Sequence, residues 1–305
     1  MQKNVNQLLL CLPHLQRELG QEAYEIEVDQ LLRSMSEEDI AVSQMEFVCC
    51  GNGDYNMQAH VLTKADRHKE VYHVVVLTDD AQLASFCVSM QIPHGIVLDA
   101  GSRNAQLPNG TYCIESLSDA DGEYLEQIYR RAKKIPWDIV ETKRLVIREI
   151  TPQDVPRLYE LYADSSITAY MDDLYPKMEQ EISYTNDYIR NIYGFYGYGM
   201  WLITLKDTGL VIGRAGLEYK EGYEGLELGF MLGVEYQHQG YAYEACNAIL
   251  DYGKECLGQY AFRAIVHKDN LASKHLCERL GFCLRDSATD VESGYVEYQL
   301  KKHLT

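Results

Sequence analysis

The chain has 305 residues, enough for about two domains, and its 46% hydrophobic and 24% charged residues are ordinary for a soluble globular protein. With 28 Lys and Arg against 46 Asp and Glu, the formal net charge is −18. That balance argues against nucleic acid as a partner, whose affinity comes largely from basic side chains on phosphates, and mildly favours cationic partners such as amines. Nine cysteines without a CxxC pair support neither a zinc site nor a disulfide framework. Reduced thiols, a cytoplasmic location and no metal are therefore expected. The apolar run 8–12 is too short for a signal sequence and no stretch approaches a membrane span, so no membrane partner is expected.

In chain order, residues 1–45 read as helical, with LLLCL at 8–12 and VDQLLRSM at 28–35 as amphipathic pieces. Strands are expected at 45–50 and 71–77. The second is a continuous apolar run ending in Thr78-Asp79-Asp80, the pattern of a strand buried on both faces of a parallel sheet. A helix at 81–90, strands at 95–98 and 111–114, and a helix at 124–134 complete a small Rossmann-like α/β domain over residues 1–135. It is similar in outline to a reduced HAD-type domain. Its chemistry is missing, because a phosphatase needs a D-x-D nucleophile after a strand. Asp99 is followed two positions on by Gly101, and Asp119 and Asp121 sit in SDADGEY, which reads as a helix start. Cys50-Gly51-Asn52-Gly53 holds a lone GxG, more often a turn than a nucleotide site. Asp79 and Asp80 are expected to cap the helix that follows rather than to hold a metal.

Ile135-Pro136-Trp137 marks a boundary, because proline ends the preceding helix. The second unit, 141–305, opens with a strand at 144–150 and a helix capped by Thr151 with Pro152 in its first turn. A helix at 179–191 leads to the aromatic and glycine loop 193–199, and strands 200–206 and 210–219 form a hairpin around Asp207-Thr208-Gly209. Next, Leu226, Leu228, Phe230 and Leu232 alternate with Glu227, Gly229, Met231 and Gly233, as in a half-buried strand. Tyr241, Ala245, Ala248, Ile249 and Tyr252 then recur at helical spacing. The short loop between them aims free backbone N–H groups at the positive end of a helix, a ready anion site. A strand at 262–267, a helix at 270–280 stopped by Gly281, and strands at 282–285 and 295–300 follow.

Gln237, Gly240 and Ala242 fit the Q/R-x-x-G-x-G/A signature and resemble the GNAT N-acetyltransferase superfamily. RLVIREITPQD, VIGRAGLEY and HKDNLASKHLCERLGF are similar to further segments of that family, in the right order over about 160 residues. The nearest branch looks like the one containing the ribosomal-protein alanine acetyltransferases. The resemblance implies an α/β GNAT fold behind the smaller domain, acetyl-CoA as co-substrate, and direct attack by a primary amine of a small molecule or a peptide N-terminus. It places the CoA pyrophosphate on Gln237, His238, Gln239, Gly240, Tyr241 and Ala242, the acetyl carbonyl near the backbone of Leu232, and Asn270 in the cofactor site. Glu227 matches the position where some members carry the base, although a strand carboxylate in a salt bridge reads equally well. Many members carry a tyrosine acid seven residues after the asparagine; here Cys277 stands there, so Ser273, one turn earlier, is the expected partner of the leaving thiolate. The loop also lacks the family's usual Arg or Lys. A non-catalytic acyl-CoA sensor is the alternative, a phosphatase in 1–135 a remoter one, and the assembly state, a homodimer included, stays open.

Overall fold

The computed structural model describes residues 5–49, 55–61, 73–98, 112–223, 225–285 and 294–300. The chain forms two compact units, Met1–Ile135 and Pro136–Thr305.

The first unit contains β1 (Gln7–Cys11), α1 (Pro13–Leu19), α2 (Gln21–Glu37), β2 (Ala41–Cys49), β3 (Tyr55–Val61), β4 (Val74–Thr78), α3 (Ala81–Ser89), β5 (His94–Val97), β6 (Tyr112–Ile114) and α4 (Gly122–Lys133). Its sheet runs β3-β2-β1-β4-β5-β6, parallel throughout except for the edge strand β3, which is antiparallel to β2. The stretch expected to be helical at 8–12 is largely the central strand. Leu8 and Leu10 are fully buried in the larger core cluster, while Leu9 packs on the other face beside Val76 and Leu83. A short run apolar on both faces carries no period that separates strand from helix.

Strand order reverses between β1 and β4, the place where sheets of this kind usually take a ligand. Here the chain's own carboxylate occupies it. Asp80 caps α3 as expected, accepting from Gln82 N and Leu83 N. Asp79 turns away from α3 to α1, accepting from His14 N at 2.8 Å and Leu15 N at 2.6 Å. Asp121 caps α4 through Tyr124 N, and Asp119 accepts from Ser116 N in the turn before it. The Asp99–Gly101 and Cys50–Gly53 readings lie outside the described residues.

The second unit contains β7 (Asp138–Glu141), β8 (Leu145–Arg148), α5 (Val155–Tyr162), α6 (Ser165–Thr168), α7 (Met178–Tyr188), α8 (Gly194–Tyr196), β9 (Met200–Leu205), β10 (Val211–Tyr219), β11 (Leu226–Leu232), α9 (Tyr241–Glu255), β12 (Phe262–His267), α10 (Leu271–Arg279), β13 (Phe282–Leu284) and β14 (Tyr295–Leu300). They build one eight-stranded sheet in the order β13-β14-β12-β11-β10-β9-β8-β7. Strand β7 escaped the sequence reading because it has four residues and its register slips between Asp138 and Val140, which leaves no alternation to detect.

Two faces follow from the register. Ala215, Leu217, Leu226 and Leu228 are buried on the side of α9, where Gly253 lets the helix pack close to Leu217 and Phe262. Arg214, Gly216 and Glu218 of β10 share the opposite face with Met231, Gly229 and Glu227 of β11, under α5 and α7. Strand β11 pairs in parallel with β12 only at Leu226↔Phe262 and Glu227↔Arg263. Beyond these two positions the strands part, and the sheet carries a wedge-shaped gap at its centre.

Candidate functional site

The gap and the start of α9 adjoin. Leu226 N donates across to Ala261 O at 3.0 Å, while Gly233 N donates the other way, to Ile212 O at 3.0 Å. Because backbone direction alternates along a strand, the N–H groups of Phe230 and Leu232 point into the gap. Leu232, singled out from sequence, is therefore placed to offer a backbone donor there.

Past Leu232 a 3₁₀ turn, Val234–Tyr236, brings the chain to α9. Gly240 is the helix N-cap at φ 80° and ψ 3°, a left-handed conformation that a side chain would strain. No side chain caps this end, so the first-turn amides remain available to an anion. His238 also adopts a positive φ of 60°, which turns the loop tightly. Gln237 and Gln239 are committed to the frame. Gln237 Nε2 donates to Leu232 O at 3.0 Å and Gln239 Nε2 to Glu235 O at 2.8 Å. What the loop offers a ligand is its backbone, with Tyr241 and Ala242 half-buried behind it.

A cation reaches this loop from 95 positions away in the chain. Arg144, just before β8, donates through Nη1 to Gln239 O at 3.1 Å, lies over the Tyr241 ring at 4.2 Å, and has Nη2 3.6 Å from where a Cβ on Gly240 would stand. Glu244 holds it, with Oε2 2.7 Å from Arg144 Nε. Burial pushes the Glu244 carboxyl up, but bonds from Thr142 and Arg144 outweigh this and hold it below the usual range. The loop thus has an arginine that its own residues lack. Sequence gave no signal for it, since nothing local says where a long side chain at a strand edge will reach.

On the sheet face under α7, Glu227 forms an ion pair with Arg263 at 3.0 Å through Oε2, the salt-bridged arrangement weighed from sequence. Directly opposite it on β10 stands Glu218, which accepts from Lys220 Nζ at 3.0 Å and from Tyr188 OH at 3.2 Å. Gly229, on the same face as Glu227, leaves only limited room beside it. Met200 Sδ lies 3.0 Å from where a Cβ on Gly229 would stand. Beside this strip opens a cavity of about 340 Å³, whose walls include Tyr184, Tyr188, Tyr196, Tyr198 and Glu218. Tyr196 and Tyr198 of the aromatic segment 193–199 supply one wall, and Tyr184 and Tyr188 of α7 another. Glu218 was not singled out from sequence, where it is one acid among many.

Asn270 caps α10, its Oδ1 accepting from Ser273 N at 3.1 Å. Ser273 is half-buried on the first turn. Cys277 is fully buried, and burial pushes its thiol up to about 12. Among the described residues no group of three His, Cys, Asp or Glu side chains is arranged to hold a metal, and no helix is long and apolar enough to cross a membrane.

The family described as the acetyltransferase (GNAT) domain matches residues 144–283, inside the second unit. The chain is 30% identical over 146 residues to an uncharacterized N-acetyltransferase, YoaA, of Bacillus subtilis (strain 168), covering 47% of this chain and 82% of that one. Among solved structures, an acetyltransferase of Agrobacterium tumefaciens str. C58 is 26% identical with a TM-score of 0.45, over 52% of this chain and 92% of that one. The RimL ribosomal L7/L12 alpha-N-protein acetyltransferase is 18% identical with a TM-score of 0.48, over 54% of this chain and 93% of that one.

Proposed function

Because the chain belongs to the GNAT acetyltransferase family, we propose that its second unit moves an acetyl group from acetyl-CoA to a primary amine, of a small molecule or a peptide N-terminus, by direct attack. The observation that carries this reading is the uncapped N-terminus of α9, with Gly240 left-handed, set beside the open edge of β11. Residues 237–242 offer backbone donors to a pyrophosphate, and Arg144 adds a cation at the same place. The parted strands β11 and β12 leave a slot for an extended chain such as pantetheine.

Acetyl-CoA supplies an activated thioester carbon and a thiolate leaving group. The chain's part is to remove a proton, stabilise an oxyanion and steady the thiolate. In our reading Glu227 accepts the ammonium proton, its Oε1 taking no hydrogen bond from a described residue while Arg263 fixes the other oxygen. The amides of Phe230 and Leu232 face the developing oxyanion. Ser273, ordered by the Asn270 cap, donates its hydroxyl to the departing sulfur. An acyltransferase is favoured over a passive acyl-CoA sensor because carboxylates and a cavity adjoin the slot where the acetyl end would lie. A phosphatase reading gains nothing from Asp119 and Asp121, which accept from backbone amides at a helix start.

Gly240→Asp tests the donor site. It forces a side chain into a left-handed position and sets a negative charge against the pyrophosphate, so acetyl-CoA affinity measured by calorimetry should fall at least about a hundredfold, roughly 2.7 kcal/mol. Unchanged affinity in a folded variant would sink the assignment.

A further inference from the structure

Arg214 sits midway along β10, opposite Leu202 of β9 and Met231 of β11. Its guanidinium lies in electrostatic contact with the hydroxyls of Tyr162, Tyr184, Tyr188 and Tyr193. Nε is shut off from solvent without a hydrogen-bond partner, and no ion pair joins this side chain to a carboxylate among the described residues. Arginine keeps its charge in a protein, and a charge drawn out of water calls for an opposite one. Tyrosine hydroxyls supply dipoles, not charge. The residue as a whole is half-buried, its guanidinium lies deep with Tyr162 as a hydrogen-bonding neighbour, and Tyr184 and Tyr188 beside it also line the open cavity.

The same strip of sheet carries two carboxylates at its other end, each with one oxygen paired to a cation. Glu218 lies four residues further along the strand, roughly 13 Å between Cα atoms, with Glu227 opposite it. Between the two ends Gly216 and Gly229 carry no side chain, and the strip is covered there by the flexible thioether of Met200. Tyr184 and Tyr188 border both the cavity and the guanidinium. Arg214 and the two carboxylates therefore share one face of the sheet, the cation at one end and the carboxylates at the other, with the cavity beside Glu218.

We propose that Arg214 receives a carboxylate of the acceptor, so that the acceptor is a small amino-carboxylate, the chemical class of the free amino acids, with its amine toward Glu218 and Glu227. This rests on the acetyltransferase reading and narrows the acceptor within it. A guanidinium matches a carboxylate with two parallel hydrogen bonds, while a plain alkylamine would leave the cation unanswered.

The test uses sets of acceptors alike except at the carboxylate: an amino acid, its amide and its decarboxylated amine. Each is offered to the full chain with acetyl-CoA while thiol release is followed. The acid should show kcat/KM at least about tenfold above the other two, as expected for a charge-assisted pair. Arg214→Gln should abolish that preference and leave the amide and the amine within about twofold of the native chain, whereas Arg214→Lys should keep part of it. Equal treatment of all three acceptors by the native chain overturns the proposal and leaves the acetyltransferase reading standing. An equal loss on all three in Arg214→Gln, with Tm lowered, shows a framework role and overturns it too. Release of no thiol with any amine removes both readings together.

Discussion

A side chain that matches a motif can serve the frame rather than the ligand. Gln237 fits the signature position, yet its amide holds the end of β11 through Leu232 O, and the cation near the loop comes from Arg144 instead. Motif spacing encodes backbone shape, which is why Gly240 was legible in the sequence. The destination of a long side chain depends on the whole sheet, and so Arg144, Arg214 and Glu218 were not. Glu227 was legible as a position only. Glu227→Gln keeps the size and removes the base, so turnover should fall by about a hundredfold or more, with the low-pH limb of the rate profile flattened. A full rate with the native pH profile would move the base elsewhere, with Glu218 opposite it as the next candidate. The thiolate partner allows a cleaner comparison. Cys277 is sealed beside Cys246, and a thiol pushed up to about 12 by burial stays protonated. Cys277→Ala should cost about 1–2 kcal/mol of stability through the cavity it leaves and little activity. Ser273→Ala should slow turnover about tenfold, roughly 1.4 kcal/mol, without lowering Tm. The reverse pattern in steady-state rates and melting curves would exchange the two roles.

Among the elements, the second unit read well because each strand from β9 to β12 carries either clear alternation or a strong turn beside it, α9 starts at a glycine turn, and α10 runs from the Asn270 cap to Gly281. The first unit read poorly at β1, where burial on both faces erases the period, and at β3, although Gly51-Asn52-Gly53 before it is a turn signal. The close approach of β9 and β10 gives a sharp test of the observed pairing. A Cβ on Gly216 would meet Gly199 O and stand 2.6 Å from Met200 Cα, both backbone atoms with no rotamer to escape into. Gly216→Ala should therefore destabilise the second unit by about 2–3 kcal/mol, a fall in Tm of about 5–10 °C for a unit of this size. Thermal unfolding that matches the native chain would show that the strands lie further apart than described.

For the molecule as a whole, the division at Ile135 and Pro136 carries a direct expectation. The piece 136–305, expressed alone, should bind acetyl-CoA with the affinity of the full chain, and the piece 1–135 should release no phosphate from a generic phosphate monoester. Calorimetry on a folded 136–305 that fails to bind would show that the donor site needs the first unit. The sequence led as far as a Rossmann-like outline for that first unit, and its strand order is that of sheets that take nucleotides. What distinguishes it is a single carboxylate, Asp79, held 2.8 and 2.6 Å from the first amides of α1. A free phosphate arriving there would compete with a rival that is tethered to the same fold and never diffuses away. Dilution weakens an external anion and leaves this one untouched, so the first unit's would-be receptor is occupied, by covalent connection, at every concentration the cell can offer.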